Sequence, residues 1–352
     1  MFKKYIPLLA FLLWGQCFMP LQPVSAAGET LNVVTTTTIF ADLVKQIGGE
    51  RVEVKAVASP KQNIHFYSPK PSDVRAVASA DLYVNVGLDL EAWSDPLLEA
   101  AGKPELMRGR NRNLDLSKGI ALLHVPTGNI SRSEGDIHLF GNPHYTMNPE
   151  NFKIMAKSVA EKLVEIDPSG AASYQENANQ FLSQLDARLQ EWKSLCQHCQ
   201  DKEIISYHDD IAYFAQFVGL RSEQFIEPKP GIPPGPRHLA ELADYAVQHP
   251  VGAIILPTYY SRATAEKLAE RIGTRSVTIV QNAGEVAGSE GVVGFFDYNF
   301  RQISEALKEH LMQAASQRVP GSDSDFDFLQ GKDGGKSKSN SPGTFGTPPA
   351  RR

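Results

Sequence analysis

The chain has 352 residues, room for two domains of ordinary size, and 42% of them are hydrophobic, enough for a substantial core. Its formal net charge of −5 argues against a nucleic-acid binder, which would ordinarily be basic. Charge and length leave the fold open, so the local patterns must supply it.

The first 27 residues read as a secretory signal. Lys3 and Lys4 form a positive start, "YIPLLAFLLWGQCF" an apolar centre, and "VSAAG" a set of small residues for cleavage after Ala26 or Ala27. Pro20 and Pro23 interrupt the apolar run, which is short for a membrane span. Acylation at Cys17 would want a small residue before it, and Gln16 stands there. The mature chain is therefore expected to be soluble and exported, with only Cys196 and Cys199 of the three cysteines left, in "CQHC". In an oxidising compartment such a pair reads first as a local disulfide clasping a helix end; a redox pair or a metal site with His198 are the alternatives.

From residue 31 strand and helix signals alternate. "LNVVTTT" is β-branched, and "IFADLVKQIGG" is apolar at helical spacing and stopped by glycines. "VEVKAVAS" reads as a strand, "SDVRAVASA" as a short helix opening at Pro71 or Ser72, "DLYVNVG" as a strand, "LEAWSDPLLEAAG" as mostly helical and "IALLHV" as a strand. A polar loop runs from Pro126 to Thr146, and "NPENFKIMAKSVAEKLVEID" follows as a helix with Asn148 as N-cap and Pro149 at its first position.

Tyr174, Ala178, Phe181, Leu185, Leu189 and Trp192 then recur every three or four residues. They predict one apolar stripe on a helix about 37 Å long. The alternation resumes with "EIISY", "DIAYFAQFVG", a proline-rich loop "EPKPGIPPGPRH", "LAELADYAVQH", "VGAIILP", "SRATAEKLAERIG" capped by Ser261, "RSVTIV" and "FFDYNFRQISEALKEHLMQA". The expected fold is α/β: two βα lobes with mostly parallel sheets, residues 28–170 and 198–317, joined by one long rigid helix over 171–197. The Gly-, Ser-, Asp- and Lys-rich tail 318–352 is expected to be disordered.

Of nine histidines, three take related positions. His65 lies in a proline-stiffened loop after the second strand signal, His144 just before a helix start, and His208 at a strand end opening a helix. In open α/β sheets ligands bind outside the carboxyl ends of strands, so three imidazoles from two lobes facing one crevice would make a metal site. Taken singly, each reads more readily as an ordinary hydrogen-bonding histidine than as a ligand. His124 and His138 read first as solvent-facing polar residues, with transient recruitment of metal as the alternative, and Asp209 and Asp210 as acids that orient a ring or favour a helix N-terminus.

The motifs "HFYSPKPSDV", "NPHYTMNPEN", "SYHDDIAYFAQFVGL" and "IEPKPGIPPGPRHL" resemble, in order and spacing, those of the zinc and manganese solute-binding proteins of ABC transporters, over about residues 31 to 312. The resemblance implies two α/β lobes bridged by a long helix, one metal ion held in the interlobe cleft, and His65, His144 and His208 as its ligands. Manganese-type relatives typically carry a glutamate where His208 stands, so a third histidine points to Zn²⁺, with Mn²⁺ the alternative. The chain departs from the pattern in two places. Asn282 stands where an aspartate is expected, leaving Asn282, Glu285 or water as the fourth ligand, and the loop 126–146 carries no histidine run. The expectation is a monomeric, non-enzymatic periplasmic protein that captures zinc and passes it to an ABC-type membrane permease. A manganese or iron protein of the same class, a metal-dependent adhesin or a zinc hydrolase on the same scaffold are the alternatives.

Overall fold

The computed structural model describes residues 30–127 and 138–317; the expected signal segment and tail lie outside these residues. Two four-stranded sheets carry the fold. The first contains β1 (Leu31–Thr35), β2 (Val52–Ala56), β3 (Leu82–Asn85) and β4 (Asn113–Asp115) in the order β2-β1-β3-β4. The second contains β5 (Glu203–Ser206), β6 (Arg221–Phe225), β7 (Val251–Pro257) and β8 (Ser276–Ile279) in the order β6-β5-β7-β8. Every pairing is parallel, and the two orders are the same pattern repeated. Each order reverses at its first strand, which places a ligand crevice at the carboxyl ends of both sheets.

Helices α1 (Thr38–Gly48), α2 (Pro71–Ala78) and α3 (Ser94–Ala101) link the first sheet; α6 (Ala212–Val218), α7 (Pro236–Gln248) and α8 (Arg262–Ile272) link the second. Between the sheets in sequence run α4 (Asn151–Ile166) and the 25-residue α5 (Ala171–Leu195), and α9 (Gly291–Gln317) closes the described chain. The buried residues of α5 are Tyr174, Ala178, Phe181, Leu185, Leu189 and Trp192, the stripe that the spacing predicts. Trp192 stacks flat on Phe300 of α9 at 5.3 Å, and its indole N–H donates to Asp297 at 2.8 Å. One core cluster runs from the first sheet through α4 and α5 to α6 and α9, while a smaller one lies under α7 and α8. Burying a long helix along one continuous core is what makes it a strut rather than a linker.

Four expectations are corrected. "IALLHV" is not a strand, because Asn113 and Leu114 already occupy the place beside Tyr83 and Val84. The polar backbone of residues 120–125 is satisfied elsewhere: the Leu123 N–H donates to the Tyr213 hydroxyl and its carbonyl accepts from the Asn142 N–H. β6 has no counterpart among the predicted strands, since its sequence "RSEQF" is that of a polar edge strand with Arg221 and Glu223 exposed. Helix α4 starts at Asn151 rather than after Asn148; the Asn148 side chain accepts the Glu150 N–H at 2.9 Å and shapes the preceding turn instead. Cys196 and Cys199 are buried free thiols, not a disulfide. Their side chains meet each other by a hydrogen bond that, with burial, raises the Cys196 thiol, and the Cys196 sulfur also lies 3.9 Å from the Phe300 carbonyl.

Candidate metal centre

The loop after β2 is held from both ends. The Trp93 indole donates to the Ile64 carbonyl at 2.7 Å, and Tyr67 and the Lys70 N–H both donate to Asp73 of α2 at 2.7 Å. Between these anchors the Asn63 side chain accepts the His65 N–H at 3.0 Å. The second histidine is set in the same way: the Asn142 side chain accepts the His144 N–H at 2.9 Å, and Tyr145 donates to the Val86 carbonyl at the end of β3. At the third, the Ser206 hydroxyl donates to the His208 carbonyl at 2.8 Å. In each case the residue two positions earlier pins the histidine backbone, as short polar side chains do in Asx- and ST-type turns. "NIH", "NPH" and "SYH" carry that signal in the sequence.

The three rings converge. Ligand nitrogens of His65, His144 and His208 all lie within 4.8 Å of one another. Ring centroids are 5.1 Å apart for His65–His144, 5.3 Å for His65–His208 and 5.3 Å for His144–His208. Tetrahedral zinc with Zn–N bonds of about 2.0–2.1 Å places neighbouring imidazole centroids about 5.2 Å apart, so the three rings already stand at that spacing. His144 and His208 are each 5% exposed, and the His144 Nε2 is buried with no hydrogen-bond partner.

Glu227, at the start of the proline-rich loop, completes the setting of His208. Its Oε2 lies 3.0 Å from the His208 Nδ1, which leaves Nε2 to face the other rings. From the sequence Glu227 reads first as part of a rigid, proline-stiffened wall, with contact to the site as the lesser alternative. The same carboxylate also accepts the Gly231 N–H and the Tyr260 hydroxyl, so it is fixed by its own loop. A carboxylate behind a histidine is the usual support for a metal-binding ring. Burial would depress the His208 imidazole, but the bond to Glu227 and the charges of Asp210, Glu227 and Asp209 outweigh it and raise its pKa above the usual 6.5. His144 goes the other way: burial, then repulsion from His65, His208 and His138, holds its pKa well below 6.5.

The remaining expected residues separate. Asn282 is buried and lines a small pocket with His144, Thr37 and Gln281. Glu285 stands outside the three-histidine cluster. Its Oε2 accepts the N–H groups of Gln281 and Asn282 at 2.8 and 3.2 Å, and Thr258 donates to its Oε1, so it braces the loop that carries Asn282. Burial pushes the Glu285 carboxyl up to about 7, partly offset by those two N–H groups. Asp209 pairs with His124 at 2.6 Å, and its carbonyl accepts the Asn142 side chain. Asp210, two residues after His208, is fully buried, with neither carboxylate oxygen hydrogen-bonded. His138, read from sequence as solvent-facing, instead places its ring 5.2 Å from that of His65.

Known proteins agree with this architecture. "Manganese ABC transporter substrate-binding lipoprotein scaA" of Streptococcus gordonii is 29% identical over 229 residues, 62% of this chain and 69% of its own. Related proteins of Streptococcus anginosus and Streptococcus mitis align over 64% of their length, so the chain spans about two thirds of these streptococcal relatives. "High-affinity zinc uptake system protein ZnuA" of Bacillus subtilis is 26% identical over 326 residues, 89% of this chain and 99% of that one. A crystal structure of ZnuA superposes with a TM-score of 0.67 at 24% identity, covering 79% of this chain and 99% of the other, which shows the shared fold. The model of the zinc-uptake complex component A periplasmic family, ZnuA, matches residues 33–306, and to that family of ABC-transporter metal-binding proteins the chain belongs.

Proposed function

We propose that the protein captures Zn²⁺ outside the cytoplasm and delivers it to an ABC-type membrane permease, with His65, His144 and His208 as ligands. The observation that carries this reading is the convergence of three imidazoles, drawn from both lobes, at tetrahedral zinc spacing. Imidazole nitrogen suits zinc, whereas manganese favours carboxylate, carbonyl and water oxygen, and no carboxylate joins the cluster among the described residues. Manganese is the second reading, supported by the relatives named for manganese uptake. The mode of action is binding and release rather than catalysis. No helix among the described residues is long and apolar enough to cross a membrane. In this reading the permease is a separate partner, met by a monomer.

Release is proposed to proceed by local movement of the ligand loops rather than by a wide swing of the lobes. Thr38 donates to the Ala283 carbonyl at 2.7 Å, Asp42 accepts the Val292 N–H at 2.8 Å, and Tyr213 donates to the Asn142 carbonyl at 2.8 Å. These bonds tie the first lobe to the second beside the buried α5, and a wide hinge would break them together. Solution scattering of metal-free and zinc-loaded protein is expected to show nearly unchanged dimensions. Metal content and chelator competition for the His65→Ala, His144→Ala and His208→Ala variants test the ligand set; wild-type zinc affinity in any of them removes that residue from it.

A further inference from the structure

Three neutral imidazoles put no negative charge against a divalent ion, and a neutral amide, Asn282, stands where the resemblance places an aspartate. Glu285 is turned to the Gln281 and Asn282 N–H groups and to Thr258. A buried ion is costly unless opposite charge lies against it.

The small pocket between His144 and Asn282 has the chemistry to receive that charge. Its volume is about 20 Å³, room for one body of about the size of a water molecule, and no acidic side chain lines it. Thr37 and Gln281 form two of its walls, one from each lobe, at 5% and 9% exposure. The Thr37 hydroxyl and the Gln281 Nε2 are buried without a hydrogen-bond partner among the described residues. Thr37 is the N-cap residue of α1, yet its side chain caps none of the helix N–H groups. Ile39, in the first turn of that helix, also lines the pocket, and the turn carries no acid. An 11-residue helix presents partial positive charge at this end, which favours an anion. The Thr38 hydroxyl, bonded to the Ala283 carbonyl at 2.7 Å, holds the start of α1 against the loop that carries Gln281 and Asn282. Two unpaired donors, a helix N-terminus and a ligand imidazole thus meet around one small volume. Water would satisfy the donors, but only an anion also balances the ion.

We propose that a monovalent inorganic anion of halide size binds in this pocket as the fourth neighbour of the zinc ion, held by Thr37 and Gln281, and supplies the charge that Asn282 does not. Zinc is then taken up as an ion pair, and its affinity depends on the anion in solution. This rests on the three-histidine reading above. The test is zinc affinity of the purified mature protein, by chelator competition in sodium chloride and in sodium methanesulfonate at equal ionic strength, with zinc-edge X-ray absorption in bromide. Affinity should be about tenfold tighter in chloride, and the spectrum in bromide should show a bromine neighbour beside three imidazoles. Asn282→Asp, which restores a resident carboxylate, should bind zinc equally in both salts; a surviving difference there overturns the proposal. Gln281→Met and Thr37→Val should each shrink the wild-type difference at least about threefold. A difference that both variants keep in full overturns this pocket as the place of the anion. Equal wild-type affinity in both salts with only light neighbours around zinc, while His65→Ala loses binding, overturns the anion and leaves the three-histidine site standing. Unaltered binding in His65→Ala overturns the site itself.

Discussion

Glu227 offers the sharpest test of how the site works. Its carboxylate lies 3.0 Å from the His208 Nδ1, with the two side chains only 8% and 6% exposed, so water does not compete for the bond. Removing such a support costs about 10–100-fold in metal affinity, or roughly 1.4–2.7 kcal/mol. Glu227→Ala should show that full loss. Glu227→Gln retains an acceptor for the Nδ1 proton but not its charge, and charge-assisted bonds are roughly twice as strong as neutral ones. Its loss should be about 1 kcal/mol, or about fivefold.

Proton competition adds a sign that a packing defect would not show. Glu227 helps raise the His208 pKa, so in wild type a proton on His208 competes with the metal as pH falls. Glu227→Gln lowers that pKa and weakens the competition. The gap between the variant and wild type should therefore be widest near pH 8.5 and narrow on acidification. Competition titrations with a chromophoric chelator from pH 8.5 to 6 measure both effects. A Glu227→Ala affinity within twofold of wild type at the alkaline end, or a gap that widens toward acid, would refute the reasoning.

Further outcomes follow from other parts of the structure. Asn142→Ala removes the acceptor of the His144 N–H and the donor to the Asp209 carbonyl; zinc affinity should fall by about 10-fold, read by the same competition assay, with the circular dichroism spectrum unchanged. In wild type, log Kd should rise by about one unit for each pH unit of acidification as His208 begins to protonate above pH 6.5, and more steeply in more acid solution where the depressed His144 also titrates, as isothermal titration across pH would show. Glu91 is fully buried against the Val86 and Gly87 N–H groups, and burial raises its pKa from 4.5 to about 7. A raised folded-state pKa contributes stability that is complete below about pH 4.5 and lost as pH rises through about 7, on the order of 3 kcal/mol in all; urea melts of Glu91→Gln should lack that component of the pH dependence. Phe181→Ala, on the α5 stripe at 4% exposure, should cost about 3–5 kcal/mol in the same melts and leave the metal affinity of the folded protein near wild type.

Periodicity determined much of this protein directly. The α5 stripe, the strand–helix alternation on either side of it and the Ser261 cap are consequences of short-range spacing, and they read the same in the chain and in the fold. The positions of His65, His144 and His208 beyond strand ends were legible too, and the motifs "HFYSPKPSDV", "NPHYTMNPEN" and "SYHDD" joined them in one reading. What the chain alone left open depends on partners far apart in sequence. "IALLHV" has strand composition but lost its place to Asn113–Asp115, which sits where β3 has free backbone groups, while Leu123 found its partners in Tyr213 and Asn142. Glu227 supports His208 across 19 residues, and Glu285, a candidate ligand by proximity in sequence, turned inward to hold Gln281 and Asn282. His138 moved from a presumed surface loop to the ring beside His65, 73 positions earlier in the chain. Local patterns record which side chains a segment presents to a sheet or a core; only the packing of two lobes decides which imidazoles and carboxylates share one buried volume, because there desolvation and hydrogen-bond satisfaction are settled jointly.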